Sequence, residues 1–244
     1  MTSREDWQRR LGPLYGGAVA LVHSTPWRWP TEVGDDARSS GWIVALGVPV
    51  GLVAWAVAAL VRGAGISPAV AAIAGLAMLS LASAALVERG VADRVDRWAD
   101  QAQSPSVPSL LVLVFATLLR AAAMLSLPPG QWLGVLVATA VVGRWAAVFL
   151  QALGDPILGD DGRRSLVATP TPAWLTAALG LGVAALAVVA LGKAGIVALA
   201  IAAIAAFSLG LEAQRRDGGL SAPVVAVAAA IGELAVLVIA TIGH

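Results

Sequence analysis

Seven apolar runs, each long enough to cross a bilayer, divide this chain of 244 residues and leave most of its charges in the segments between them. The runs are Gly41–Val61, Ile66–Val87, Ser109–Leu127, Gln131–Leu150, Ala173–Leu191, Ala194–Leu211 and Pro223–Ile242. About 20 mostly apolar residues suffice to span the hydrocarbon core as a helix. Backbone polar groups find no water there, so each segment must satisfy its own hydrogen bonds. Ala, Leu, Val and Gly dominate the runs, and the alternation of a barrel strand is absent. The expected fold is therefore all-α. Residues 41–244 form a polytopic helical bundle of about seven transmembrane helices. Only 13% of the residues are charged, where a soluble domain carries about a quarter.

Residues 1–40 do not span. Leu11–His23 is short and apolar, and it runs into Pro26, Trp27, Trp29 and Pro30. Tryptophans beside an apolar stretch favour the headgroup layer. The reading is a re-entrant or interfacial helix. No cleavable signal peptide is expected, because Met1–Arg10 is too polar and no short apolar core with a cleavage site follows it.

The basic residues orient the bundle. Arg4, Arg9, Arg10, Arg28, Arg38, Arg89, Arg94, Arg97, Arg163, Arg164, Arg215 and Arg216 fall in the N-terminal segment and alternate connections, against Arg62 and Lys193 on the other side. That asymmetry predicts a multi-pass protein of the cell (inner) membrane with a cytoplasmic N-terminus. Every loop acid falls on the same side. A net charge of +1 argues against a nucleic-acid partner. The absence of cysteine removes disulfides, thiolate metal sites and cysteine nucleophiles.

Asp93, Asp96 and Asp100 follow the second run with spacing i, i+3, i+7, which shares one helix face. Hard carboxylate oxygens suit Mg²⁺, which keeps waters or substrate phosphates in its shell. Arg89 and Arg97 each lie four residues from Asp93, so a solvated, salt-bridged helix is the competing reading. Arg120, Arg144 and Glu233 lie inside runs, where ionisable residues face a bundle interior or a wet cavity. Arg144 and Glu233 lie roughly 13 and 15 Å deep at 1.5 Å per residue. Arginine suits bidentate phosphate recognition. An Arg144–Glu233 pair is the structural alternative. Gly218 and Gly219 would let a phosphate approach the backbone before the last run, or simply turn the chain. Gly47–Gly51 and Gly130–Gly134 have the four-residue spacing of closely packed helices.

The residues resemble one known family over nearly the whole chain. Ala18-Val-Ala-Leu-Val-His-Ser-Thr-Pro26 and Gly41-Trp-Ile-Val-Ala-Leu-Gly-Val-Pro-Val-Gly51 are similar to its N-terminal stretch and first span. Gly90-Val-Ala-Asp93-Arg-Val-Asp96 falls on its acidic signature, Gly143-Arg144 on its Gly/Arg pair, and Gly218-Gly219 and Gly232-Glu233-Leu234 on its last helix. The family is the adenosylcobinamide-GDP ribazoletransferases, or cobalamin 5′-phosphate synthases. The resemblance implies a membrane transferase of late cobalamin biosynthesis. It would join α-ribazole or its phosphate to adenosylcobinamide-GDP with release of GMP, using Mg²⁺. It further implies Asp93 and Asp96 as metal ligands, with Asp100 and Glu88 beside them. Arg144 would contact phosphate and Glu233 would be a bundle-side acid; Arg120, from its depth, and Gly218 and Gly219, from their open backbone, are the further candidates for binding. Positions where the family signature carries histidine and aspartate are Val87 and Arg89 here. Two other readings stay open: a catalytically degenerate relative that binds a corrinoid or partner cobalamin-assembly enzymes, and a small transporter.

Overall fold

The computed structural model describes residues 4–27, 39–100, 105–157 and 171–243. Trp29, Asp160, Asp161, Arg163, Arg164 and His244 lie outside the described residues. Among the described residues the extended elements are all helices. The β-type contact present is a single bridge between Pro156 and Leu220. The helices are α1 (Arg4–Leu11), α2 (Tyr15–Ser24), α3 (Ser39–Ala45), α4 (Gly47–Gly63), α5 (Pro68–Ala82), α6 (Leu86–Trp98), α7 (Val107–Ser126), α8 (Trp132–Gln151), α9 (Ala173–Leu191), α10 (Lys193–Arg216) and α11 (Ala222–Ala240).

Six segments are long and apolar enough to cross a membrane: Ser39–Gly63, Val107–Ser126, Pro129–Gln151 and the helices α9, α10 and α11. The chain is a multi-pass membrane protein. The second run departs from expectation. In place of one straight span over Ile66–Val87, α5 and α6 meet at a break and bend by 78°. α5 has 15 residues, about 22 Å at 1.5 Å each, so it does not cross alone. Counted as one broken span, the pair brings the crossings to seven; counted as a re-entrant loop, it leaves six.

Hydrogen bonds bring alternate connections to one end of the bundle. Ser40 Oγ and Thr171 Oγ1 lie 2.9 Å apart, and Thr171 Oγ1 donates to Gln151 Oε1 at 3.2 Å. Arg94 pairs with Asp217, and Leu220 N–H donates to Asp155 O at 2.8 Å. The start of α3 and the ends of α6 and α8 therefore share a side with the starts of α9 and α11, as alternating crossings require.

α8 is buried along most of its length and packs against α11, α4 and α9, while α7 and α9 are mostly exposed on their outer faces. The close approach of α4 to α8 is made by Gly47 and Gly51. A Cβ there would lie 2.8 Å from Val141 Cα and 2.5 Å from Val137 Cα, respectively. Gly134 packs on Ala190 in the same way, whereas Gly130 has open space and takes no part. Gly51→Ala should destabilise the protein by about 1–3 kcal/mol, the usual range for overpacking, because backbone cannot yield as a side chain does. Thermal unfolding in detergent checks it, and an unchanged midpoint would refute the packing role.

Among the described residues of the N-terminal segment no single helix is long enough to cross a membrane. α2 has 10 residues and buries Tyr15 and Val19 against Trp7 and Leu11. Gly17 sits under the indole of Trp42, 3.2 Å from where a Cβ would be. The segment thereby docks on α3.

Candidate functional site

The break in the second crossing is stabilised by charge. Ala84 and Ala85 both take left-handed backbone, at φ 54° and 52°. An L-residue in that region costs about 1–2 kcal/mol. Ala85 N–H donates to Ser80 O at 2.9 Å and satisfies a carbonyl at the end of α5. Irregular backbone at membrane depth persists only where protein or a cavity covers it, and here both do.

Glu88 stands in the first turn of α6 and accepts from Ser80 Oγ at 2.6 Å. Arg120 of α7 donates Nη1 to the same Glu88 oxygen at 3.2 Å and Nη2 to Glu233 Oε2 of α11 at 2.8 Å. One guanidinium is thus shared by two carboxylates and ties α6, α7 and α11 together. The Arg144–Glu233 pair that stood as the structural alternative is not formed: Glu233 pairs with Arg120. Arg144 instead donates Nη2 to Ser83 Oγ at 2.8 Å and Nη1 to Ala140 O at 3.1 Å. Both acceptors are neutral. Gly143 makes room for this arrangement, since a Cβ there would lie 2.5 Å from Glu233 Cγ.

A cavity of about 300 Å³ opens on this group. Arg144, Ser83 and Glu233 lie on its wall together with Arg89, Asp93 and Gln151, and the remaining lining is largely apolar. Arg144 is 7% exposed and Glu233 4%, so these charges meet the cavity rather than lipid. Gly90 lets α6 lie against α11: a Cβ there would collide with Ala226.

The other sequence candidates go elsewhere. Asp96 is buried and accepts from the N–H of Ser106 at 3.2 Å and from its hydroxyl, at the start of α7. It secures a helix end and is not on the cavity wall. Asp100 lies beyond the end of α6 with φ 52°, so it does not continue the face that carries Asp93. Glu88 is engaged by Arg120 and Ser80. Arg120 is engaged by its two carboxylates and does not line the cavity. Gly218 turns the chain between α10 and α11 at φ 73° with nothing nearby, and a Cβ on Gly219 would lie 2.8 Å from Asp155 O. The space a phosphate would use at Gly219 is therefore filled by the chain's own backbone. Among the described residues no three His, Cys, Asp or Glu side chains come together to hold a metal ion. The four acids grouped by the sequence are dispersed.

Two wall residues, Ser83 and Gln151, escaped the sequence reading. For Ser83 a signal existed: Ser80 and Ser83 are polar residues close before Glu88 within an otherwise apolar run.

No curated protein and no solved structure matches the chain. One family model does match, over residues 18–241, and its description is cobalamin-5-phosphate synthase. The match runs from α2 to the end of α11 and takes in every wall residue named above, so the chain belongs to the cobalamin-5-phosphate synthase family of cobalamin-biosynthesis enzymes.

Proposed function

We propose that this protein transfers α-ribazole, or its phosphate, onto adenosylcobinamide-GDP and releases GMP. The observation that carries the reading is Arg144: a buried guanidinium on the wall of a cavity, bonded only to neutral oxygens. Such a group attracts an anion with two oxygens, and a diphosphate supplies it. The hydroxyl of the ribazole would displace GMP at that diphosphate. Arg144 would hold charge on a phosphate oxygen as the bond to GMP breaks. Glu233, fixed by Arg120, would keep Arg144 oriented toward the cavity. At about 300 Å³ the cavity has room for phosphates and part of a nucleoside. The much larger corrin ring would stay at the mouth.

Magnesium enters this proposal as an ion carried in by phosphate. Mg²⁺ is commonly held by one or two carboxylates plus substrate phosphates, and Asp93 is the exposed carboxylate on the wall that would reach it. The ion would supply neutralisation of the diphosphate charge. Turnover of the purified protein with adenosylcobinamide-GDP and α-ribazole phosphate tests the function. Asp93→Asn should need more magnesium for half-maximal rate, and an unchanged magnesium dependence would remove Asp93 from the site.

A second reading is the degenerate relative that binds a corrinoid without turnover. Arg89 on the cavity wall and the dispersal of the acids favour it. Retained corrinoid binding without product at any magnesium concentration would select it.

The orientation belongs to the same proposal, because the basic asymmetry of the connections would put the end that carries Asp93 inside. Reporter fusions at residues 100 and 244 should sit on opposite sides, with residue 100 inside. Both on one side would break the seven-crossing count.

A further inference from the structure

α6 has two working faces. Arg89, Gly90 and Asp93 look into the cavity already described. Val91, Arg94, Val95 and Trp98 lie on the opposite face and line a second groove of about 410 Å³, closed by α7 and α11. Apart from Thr117, its middle is lined by aliphatic side chains, with Val112 and Ala116 from α7 and Ile231 and Leu234 from α11. The Glu88–Arg120 pair stands at the deep end and Arg94 with Trp98 at the other. Along α7 the lining runs from Val112 to Arg120, roughly 12 Å at 1.5 Å per residue.

We propose that this groove binds one anionic phospholipid, with an acyl chain between α6, α7 and α11 and the headgroup phosphate at Arg94. Three observations support that occupant. First, the groove lies among membrane-crossing helices, and α7, its outer wall, presents most of its surface outward. Between its charged ends the space is lined by aliphatic side chains and Thr117 and suits hydrocarbon from the bilayer, while the free polar atoms Glu88 Oε2 and Arg120 Nε at the deep end leave partners for a water. Second, Arg94 is 3% exposed, yet its Nε has no acceptor. One Nη is used by Asp217, and the guanidinium lies 5.4 Å from the centroid of the Trp98 ring. A buried donor on the groove wall is suited to a phosphate oxygen. Third, exposed Arg97 follows beside Trp98, and Arg215 and Arg216 end α10, whose Leu209 also lines the groove. Basic residues with a tryptophan at a helix end mark the headgroup level and favour anionic lipid. The acyl chain would then buttress the helix that carries Asp93, from the side opposite the cavity. The lipid site stands whether or not the transferase reading does.

The test uses the full chain, purified and delipidated in detergent. It is incubated with phosphatidylglycerol or phosphatidylcholine of matched chains, and retained lipid is counted by native mass spectrometry. Phosphatidylglycerol should be retained about fivefold better, the factor one arginine supplies at a headgroup. Arg94→Gln should erase that preference. Ala116→Trp fills the groove from α7 without touching a charge and should abolish retention of both lipids. Equal retention of the two lipids by the parent protein, or undiminished retention by Ala116→Trp, would overturn the proposal. So would competition by glycerol phosphate as strong as by the lipid, which would make this a site for free phosphate. If Arg94→Gln fails to fold, the headgroup comparison and Ala116→Trp still decide.

Discussion

Arg120→Leu is expected to be among the most destabilising single substitutions in this protein. It strands two carboxylates, Glu88 and Glu233, that share this guanidinium. Glu233 is almost fully buried, and breaking a buried pair by removing one partner costs about 3–5 kcal/mol. That is a large share of the roughly 5–15 kcal/mol that holds typical folds together. The variant should accumulate poorly and unfold at a much lower temperature in detergent. Charge bookkeeping predicts the rescue. Adding Glu88→Gln and Glu233→Gln to Arg120→Leu removes the stranded charges and should restore most of the loss. Parent-like unfolding of Arg120→Leu alone would mean that the pair contributes nothing.

Arg144→Met is expected to do the opposite: keep the fold and lose the activity. Its partners are Ser83 Oγ and Ala140 O. Ala140 O is a helix carbonyl, and Ser83 can turn toward the cavity, so no ion pair is broken: Glu233 loses the field of a nearby cation but keeps Arg120. Removing one preorganised donor from a transition-state oxyanion typically lowers turnover by about 10²–10³-fold. Turnover of adenosylcobinamide-GDP should fall by that order, while the unfolding temperature moves far less than in Arg120→Leu. Arg144→Lys should recover part of the rate, since it restores a point charge without the bidentate fork. Full turnover by Arg144→Met would take this residue out of the reaction.

The sequence disclosed the crossings because apolar length is a local property. The fifth expected run, Ala173–Leu191, has the bounds of α9, and Gln131–Leu150 is displaced by one residue from α8. It did not disclose the break in the second crossing. Around Ser83 the run continues through Ala82, Ala84 and Ala85, and neither Gly nor Pro marks the turn. What holds the bend comes from afar: Arg120 is 32 positions from Glu88 and 113 from Glu233. The same cause explains why the Arg144–Glu233 alternative is not formed. Depth placed Arg144 and Glu233 at one level but could not tell which arginine faced the acid. Periodicity grouped Asp96 with Asp93, yet a helix face has two edges. Asp96 lies on the edge that meets Ser106 at the start of α7.

The bent crossing also bears on the order in which the chain can be built. A ribosome-bound intermediate that ends after α6 contains Glu88 with neither Arg120 nor Glu233 yet made. α5 supplies only 15 apolar residues, short of the about 20 that span a bilayer, and α6 behind it is charged. The second crossing therefore cannot mature as it emerges. Glu88 is paired when α7 delivers Arg120, and α11 later brings a second carboxylate, Glu233, to the same guanidinium. The bend early in the chain therefore takes its ion pair only after a later helix, α7, has been made, and Glu88 has no cation of its own until then.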